Sequence, residues 1–412
     1  MSTDRTPLRW PSAWKDASCL ELLQGTPINF LLLEPRPEVE KVIARARQGG
    51  FEVAGANSLP GEVTVTDGKW PGILLTRGGQ QDEAAAGPTG DPWVDSNGWK
   101  VRLAAALHRG KEIWVDATPA EPRLSAEAYV MAVADAGAYG GRWIISLDDQ
   151  LAAAIAARKS EALVTWKKLT ATSAFFAAHK DWTTLPPRAV LGIISDYAGQ
   201  NEFFSNELLN LVARTNQQYR IILRGEAEPA HFAGLRAVLY ADGEPPSPDL
   251  RKQVLAFVED GGILITGPKW GEIPGTPVPL ENYGGYSTRL VAKGRIAVSA
   301  EDLADPYLAA HDATVLLSHR YDVLRFWNGG ALGSYYTFSP DGKRAVLQML
   351  FYASPWPEGS PTSLWIAGRY RSARLWRLDQ SGPQNLEMEV QKDGVEVHLP
   401  SVAQYGALEL ET

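Results

Sequence analysis

One pattern organises the first two thirds of the chain: short unbroken apolar runs alternate with segments of helical period. In order these are INFLLLE (28–34), a helix over PEVEKVIARARQGG, FEVAGA (51–56), GILLT (72–76), a helix over 99–110, KEIWVDA (111–117), a helix over 124–141 and RWIISLDD (142–149). Strands that are apolar on both faces need cover on both faces, which helices packed on either side of a parallel sheet supply. Five strands read this way before a long helix, over roughly 150–181, stops at TTLPPR. A second α/β series begins at AVLGIISDY (189–197) and continues through RIILR (220–224), LRAVLYAD (235–242), a helix over 247–262 and ILITGPKWG (263–271). Residues 272–330 are rich in Pro and Gly, with strand-like runs RIAVS (295–299) and TVLLS (314–318).

After about residue 331 the period changes. GSYYTF, RAVLQMLFYA, SLWIAG, ARLWRL, LEMEV, VEVHL and GALELE are short runs separated by turns such as PDGK and KDG, the signature of an antiparallel sandwich. The expected fold class is α/β. Residues 1–184 form a (β/α) barrel-like domain, 185–330 a Rossmann-like α/β domain and 331–412 a β-sandwich. A complete eight-stranded barrel takes about 250 residues. Five strands in the first part therefore mean an incomplete barrel, or one that strands from 189 onward complete.

Composition removes several classes. With 45% hydrophobic and 21% charged residues the chain is neither disordered nor fibrous, and no apolar run reaches membrane-span length. Forty basic against 48 acidic residues, net −8, argue against nucleic acid as a partner, because phosphate binding needs a concentrated basic face. Cys19, the single cysteine, excludes an intramolecular disulfide and a cysteine-rich zinc site. The six histidines show no HxH or HExxH spacing, no phosphate-binding loop follows a strand, and no GxSxG elbow is present, so no metal and no cofactor are expected. The opening MSTDRTPLRWPSAW carries no signal-peptide core. A periplasmic or secreted location would require a removed leader; otherwise the cytoplasm is expected.

Three stretches carry a resemblance. They are the helix ending FFAAHKDW before PPRAVLGIISDY, the passage LRAVLYADGEPPSPDLRKQVLAFVEDGGILITGP, and the tail containing SPDGKRAVLQMLFYA and VEVHLPSVAQYGALELE. Together they resemble bacterial glycoside hydrolases related to beta-galactosidases, in which a barrel precedes an amidotransferase-like domain and a C-terminal β domain. The resemblance covers most of residues 160–412 and includes no catalytic signature. It implies a non-catalytic middle domain, since amidotransferase chemistry needs a cysteine nucleophile and Cys19 lies outside it. It also implies a homo-oligomer assembled through that domain.

Glycoside cleavage needs two carboxyls flanking the bond, and in a βα unit they sit at the C-terminal ends of strands. Glu34, Asp116 and Asp148 with Asp149 follow strands. Glu34 and Asp148 are the first-choice catalytic pair, with Asp116 and Asp95 in reserve. Acids in these positions also serve as helix N-caps. The long segment 76–99 supplies Arg77, Trp93, Asp95 and Asn97 as substrate-binding candidates. Asp95 and Asn97 either hydrogen-bond sugar hydroxyls or cap the helix starting near Trp99. Fourteen Trp residues exceed what a core needs. A sugar presents an apolar face and a polar rim, so Trp114, on the same strand face as Asp116, is a candidate platform, with core packing as its alternative. The expected function is hydrolysis of an oligosaccharide or glycoside by a carboxylate pair. The alternative is a non-catalytic glycan-binding or assembly protein with a degenerate barrel.

Overall fold

The computed structural model describes residues 4–34, 37–55, 58–73, 94–119, 124–353 and 361–412. The N-terminal unit runs β1 (Pro7–Arg9), β2 (Phe30–Leu32), α1 (Glu40–Gln48), β3 (Glu52–Ala54), β4 (Val63–Asp67), β5 (Gly72–Ile73), β6 (Val94–Asp95), α2 (Gly98–Leu107), β7 (Glu112–Asp116), α3 (Ala126–Gly137), β8 (Arg142–Trp143), α4 (Asp149–Ala156) and α5 (Ser160–Ala178). Its parallel strands form two three-stranded sheets, β1-β2-β3 and β4-β7-β8. A parallel bridge between Leu8 and Ile145 joins them in the order β3-β2-β1-β8-β7-β4.

Alternation along these strands sorts the side chains into two layers. Leu8, Leu31, Leu33, Ile113, Val115, Trp143 and Ile145 pack outward against the helices. Phe30, Leu32, Val63, Trp114 and Ile144, with Ala54 against them, converge on the other face in a small core of their own. Among the described residues no pairing closes β3 onto β4, so a complete barrel is not formed by them. Below this inner core Arg5 donates to Glu52 and to Glu112, each at 3.0 Å, tying the N-terminal ends of β3 and β7.

Two expectations need correction here, and one strand was not expected. The described part of GILLT, Gly72–Ile73, pairs antiparallel with β6, and the parallel place is taken by Val63–Asp67. The first strand, Pro7–Arg9, is only three residues long and leaves no run to read. The helix over 150–181 is two helices, because Arg158 takes the left-handed conformation (φ 53°) between α4 and α5.

The middle unit contains β9 (Leu191–Ser195), α6 (Glu202–Arg214), β10 (Tyr219–Leu223), β11 (Ala237–Tyr240), α7 (Pro248–Glu259), β12 (Ile263–Thr266), β13 (Thr276–Pro277), β14 (Tyr286–Val291), β15 (Gly294–Ser299) and α8 (Pro306–Leu317). Its sheet has the order β10-β9-β11-β12-β15-β14-β13, with the first five strands parallel. TVLLS belongs to α8 rather than to a strand, its apolar residues spaced so that Ala310, Ala313 and Leu317 are buried on one side.

The C-terminal unit comprises β16 (Leu324–Trp327), β17 (Leu332–Phe338), β18 (Arg344–Phe351), β19 (Thr362–Ala367), β20 (Ser372–Arg377), β21 (Gln384–Leu386), β22 (Met388–Val390), β23 (Gly394–Leu399) and β24 (Tyr405–Glu411). They form two antiparallel sheets, β16-β19-β23-β22 and β17-β18-β24-β20-β21. Leu364, Ile366, Val395 and Val397 of one sheet share a core with Leu347, Met349, Leu408 and Leu410 of the other. The antiparallel part takes in Leu324–Trp327, ahead of residue 331, and LEMEV splits between the two sheets. No helix of the described residues is long and apolar enough to cross a membrane.

The units meet around a buried carboxylate. Asp135 of α3 is fully buried and accepts from the Asn97 backbone N–H and Nδ2, both at 2.8 Å, and from the Tyr352 hydroxyl at 2.5 Å. Burial is the largest influence on Asp135 and pushes its carboxyl above the ordinary range, against the three donors. The folded chain therefore keeps this proton to higher pH than the unfolded chain, and the group withdraws stability as pH rises from about 4 through its raised value. Asp135→Asn should flatten that part of the stability–pH curve measured by urea denaturation. Asp135→Ala, which strands the Asn97 and Tyr352 donors, should cost roughly 3 kcal/mol.

Candidate functional site

The inner face of the N-terminal unit carries a polar layer at the C-terminal ends of its strands. Arg9 ends β1 and points away from outward-packed Leu8, and its Nη2 reaches across β8 to both carboxylate oxygens of Asp116, at 2.7 and 2.6 Å. Its Nε donates to Ser146 Oγ at 3.2 Å. Asp116 stands two residues beyond Trp114 and shares its face. Asp67 is the register partner of Asp116 on the neighbouring parallel strand. In-register neighbours on adjacent strands lie about 4.8 Å apart at the backbone with side chains on one face, so Asp67 and Asp116 project from neighbouring strand ends on the same side. The Gly68 N–H donates to the Asp116 carbonyl at 2.7 Å and fixes the chain just past β4.

Glu34 lies two residues past β2 on the same alternation as Phe30 and Leu32, and it is exposed. Its carboxylate lies against Gly55, just past β3, where a Cβ would fall 3.0 Å from Oε2. A glycine at that position lets the two strand ends approach. Trp114 sits beneath the polar layer, fully buried, its ring edge-on to Phe30 with centroids 4.9 Å apart and its Nε1 donating to Glu112 at 3.2 Å. It is the plug of the inner core, not an open platform.

Asp148 faces the helix layer instead. It is buried and N-caps α4: Oδ1 accepts from the Leu151 N–H at 2.9 Å, and Oδ2 accepts from the Tyr129 hydroxyl at 2.9 Å. β8 ends at Trp143, the last bridge is at Ile145, and the chain then turns into α4, which takes Asp148 away from Glu34's face. Asp149, in the first turn of α4, is exposed and accepts from Ser12 Oγ at 3.1 Å. Asp95 pairs with Lys69 at 3.2 Å beside the open cleft between α2 and α6 that Trp99 lines. Asn97 neither caps α2 through its side chain nor reaches solvent. It is fully buried, accepts from the Lys69 N–H at 2.8 Å and donates to Lys69 O at 2.9 Å and to Asp135. Arg77 and Trp93 lie outside the described residues.

Arg9, Asp67 and Ser146 are the members that sequence reading missed. Asp67 had a signal in the alternating EVTVTDG; Arg9 and Ser146 had none, because only the fold brings β1 beside β8. Among the described residues no group of three or more His, Cys, Asp or Glu is placed to hold a metal ion.

Two roles for Asp148 separate by substitution. As a cap, Asp148→Asn keeps an acceptor for the Leu151 N–H and should stay near parental stability, whereas Asp148→Ala should lose about 1–2 kcal/mol in thermal or urea unfolding.

No family model matches the chain, and no curated protein sequence matches it. Among solved structures it is similar to an alpha-L-fucosidase from Paenibacillus thiaminolyticus, with a TM-score of 0.52, 12% identity, and coverage of 100% of this chain and 78% of the other. It also aligns with a rhamnosidase from Novosphingobium (TM-score 0.49, 10% identity, 91% of this chain and 38% of the other). A catalytic mutant of a beta-galactosidase from G. stearothermophilus aligns at TM-score 0.43, with 10% identity, 91% of this chain and 66% of the other. The chain thus spans about two thirds or less of the rhamnosidase and this beta-galactosidase. At these identities the likeness is one of fold alone.

Proposed function

We propose that the chain is a carbohydrate-active enzyme that hydrolyses a glycosidic bond at the C-terminal ends of the N-terminal strands. The observation that supports this most is the in-register pair Asp67 and Asp116, with Arg9 held against Asp116. Carboxyls about 5–5.5 Å apart suit cleavage with retention through a covalent intermediate. In this reading Asp116, oriented by Arg9, attacks the anomeric carbon, and Asp67 gives its proton to the departing glycosidic oxygen. Asp67 then takes a proton from water, whose oxygen displaces Asp116 and releases the sugar. Glu34, exposed on the same face, binds substrate hydroxyls. Asp148 enters as the anchor of α4.

A panel of chromogenic glycosides and natural oligosaccharides identifies the substrate. On it, Asp116→Asn and Asp67→Asn should each lower kcat/KM by at least a thousandfold, and Glu34→Gln should act mainly on KM. Azide should restore turnover to a small-side-chain variant at position 116 if that carboxylate is the nucleophile. Unchanged turnover in both Asp variants would overturn the assignment.

A second reading has its own support. Arg9 already occupies both oxygens of Asp116, which suits a surface that binds a glycan without cleaving it. That reading predicts saturable oligosaccharide binding with no product release, lost in Arg9→Ala.

A further inference from the structure

Among the described residues one tryptophan is exposed, and it is far in sequence from the candidate active site: Trp327, at the end of β16, is 45% exposed. Because β16 is an edge strand of the four-stranded sheet, its outward residues form rows with those of β19 and β23. Trp327 is opposite Ser363, which is opposite His398; Arg325 is opposite Trp365, which is opposite Glu396. Phe326 and Leu364, between these rows, face the other way, Leu364 into the sandwich core. The outer face therefore carries two indoles on a diagonal, about 7–8 Å apart at the backbone. Arg325 lies over the Trp365 ring at 4.9 Å, and Ser363 Oγ contacts His398 Nδ1 at 2.9 Å.

This face runs into a groove of about 590 Å³ between the C-terminal and middle units, lined by Asn216, His319, Asp322, Arg325, Trp327 and Asn328. Asp322 is held there by His319 and Arg325, at 3.0 and 3.1 Å. Asn216 follows α6 in the left-handed conformation (φ 55°), and its Oδ1 is a buried acceptor with no hydrogen-bond partner.

We propose that this face and groove form a second, non-catalytic site for a neutral saccharide chain. The chemistry selects that ligand. Pyranose rings offer a C–H face to Trp327, the exposed indole, and hydroxyls to Asn216, Asp322, His398 and Ser363. A protein partner of ordinary size needs about 800 Å² per side around an apolar centre, whereas here the indoles are interrupted by Arg325, Glu396 and His398. The site shares its ligand class with the proposed function but none of its residues.

Affinity electrophoresis and calorimetry of the full chain against soluble galactan, xylan and mixed-linkage β-glucan test this. At least one polysaccharide should bind the parent and the Asp67→Asn/Asp116→Asn variant equally. Trp327→Ala should weaken that binding at least tenfold and Asn216→Ala at least threefold, while cleavage of any small glycoside substrate is unchanged in both. Circular dichroism checks folding, and Trp327→Phe, which keeps a ring, should retain part of the affinity. Equal binding by parent and Trp327→Ala overturns the proposal, as does binding by none of the polysaccharides. A concentration-dependent dimer of the parent that Trp327→Ala dissolves also overturns it, since the face is then a protein interface.

Discussion

The buried carboxylate of Asp135 is the point on which the arrangement of the three units depends. It belongs to α3, yet its donors come from the turn before α2 and from Tyr352, the residue just past β18. Around it, Arg102 of α2 lies 3.8 Å from the Tyr219 ring and 5.1 Å from the Tyr335 ring, so one guanidinium touches the middle and C-terminal units together. Gln348 donates to the Ala138 carbonyl at 2.7 Å and accepts from the Tyr405 hydroxyl at 2.8 Å. Polar groups buried this deeply are tolerated only when every partner is in place, so the network specifies one docking geometry. Val346, Leu350, Tyr405 and Ala407 of the C-terminal sheet pack in the same core as α3 and α5, which makes the sandwich part of the N-terminal unit's support.

That support explains how a short parallel unit holds a polar layer. Arg5 with Glu52 and Glu112 closes the N-terminal ends of the strands, the Phe30–Trp114 core fills the middle, and Arg9, Asp67, Asp116 and Ser146 stand above it. Each layer follows from the period of two along parallel strands, and a register slip of one residue would send Asp116 into the helix layer. The apolar core below keeps the carboxylates at the rim, where they meet solvent.

Legibility followed local chemistry. The apolar runs within 28–34, 111–117, 142–149 and 189–195 hold the strands β2, β7, β8 and β9, legible because consecutive apolar residues are buried on both faces. Asp116 and Glu34 are legible as acids that follow strands, and the alternation of the observed strands puts both on the inner face. Asp148 obeyed the competing rule: an acid just after a strand and just before a helix satisfies orphan amides, and here it does. The Trp excess divided by position: Trp14, Trp114, Trp182 and Trp270 are fully buried, while Trp327 is exposed, a difference no composition reveals.

The amino-acid sequence by itself determined the α/β, α/β, all-β succession, because hydrophobic period and turn chemistry are local. Tertiary structure alone decided which acids are neighbours. Asp67 and Asp116 are 49 residues apart in the chain and meet through strand register; Arg9 reaches Asp116 only because β1 lies beside β8. Three-residue strands such as Pro7–Arg9 are held by their partners, not by their own propensity. Their place becomes visible when the sheet assembles.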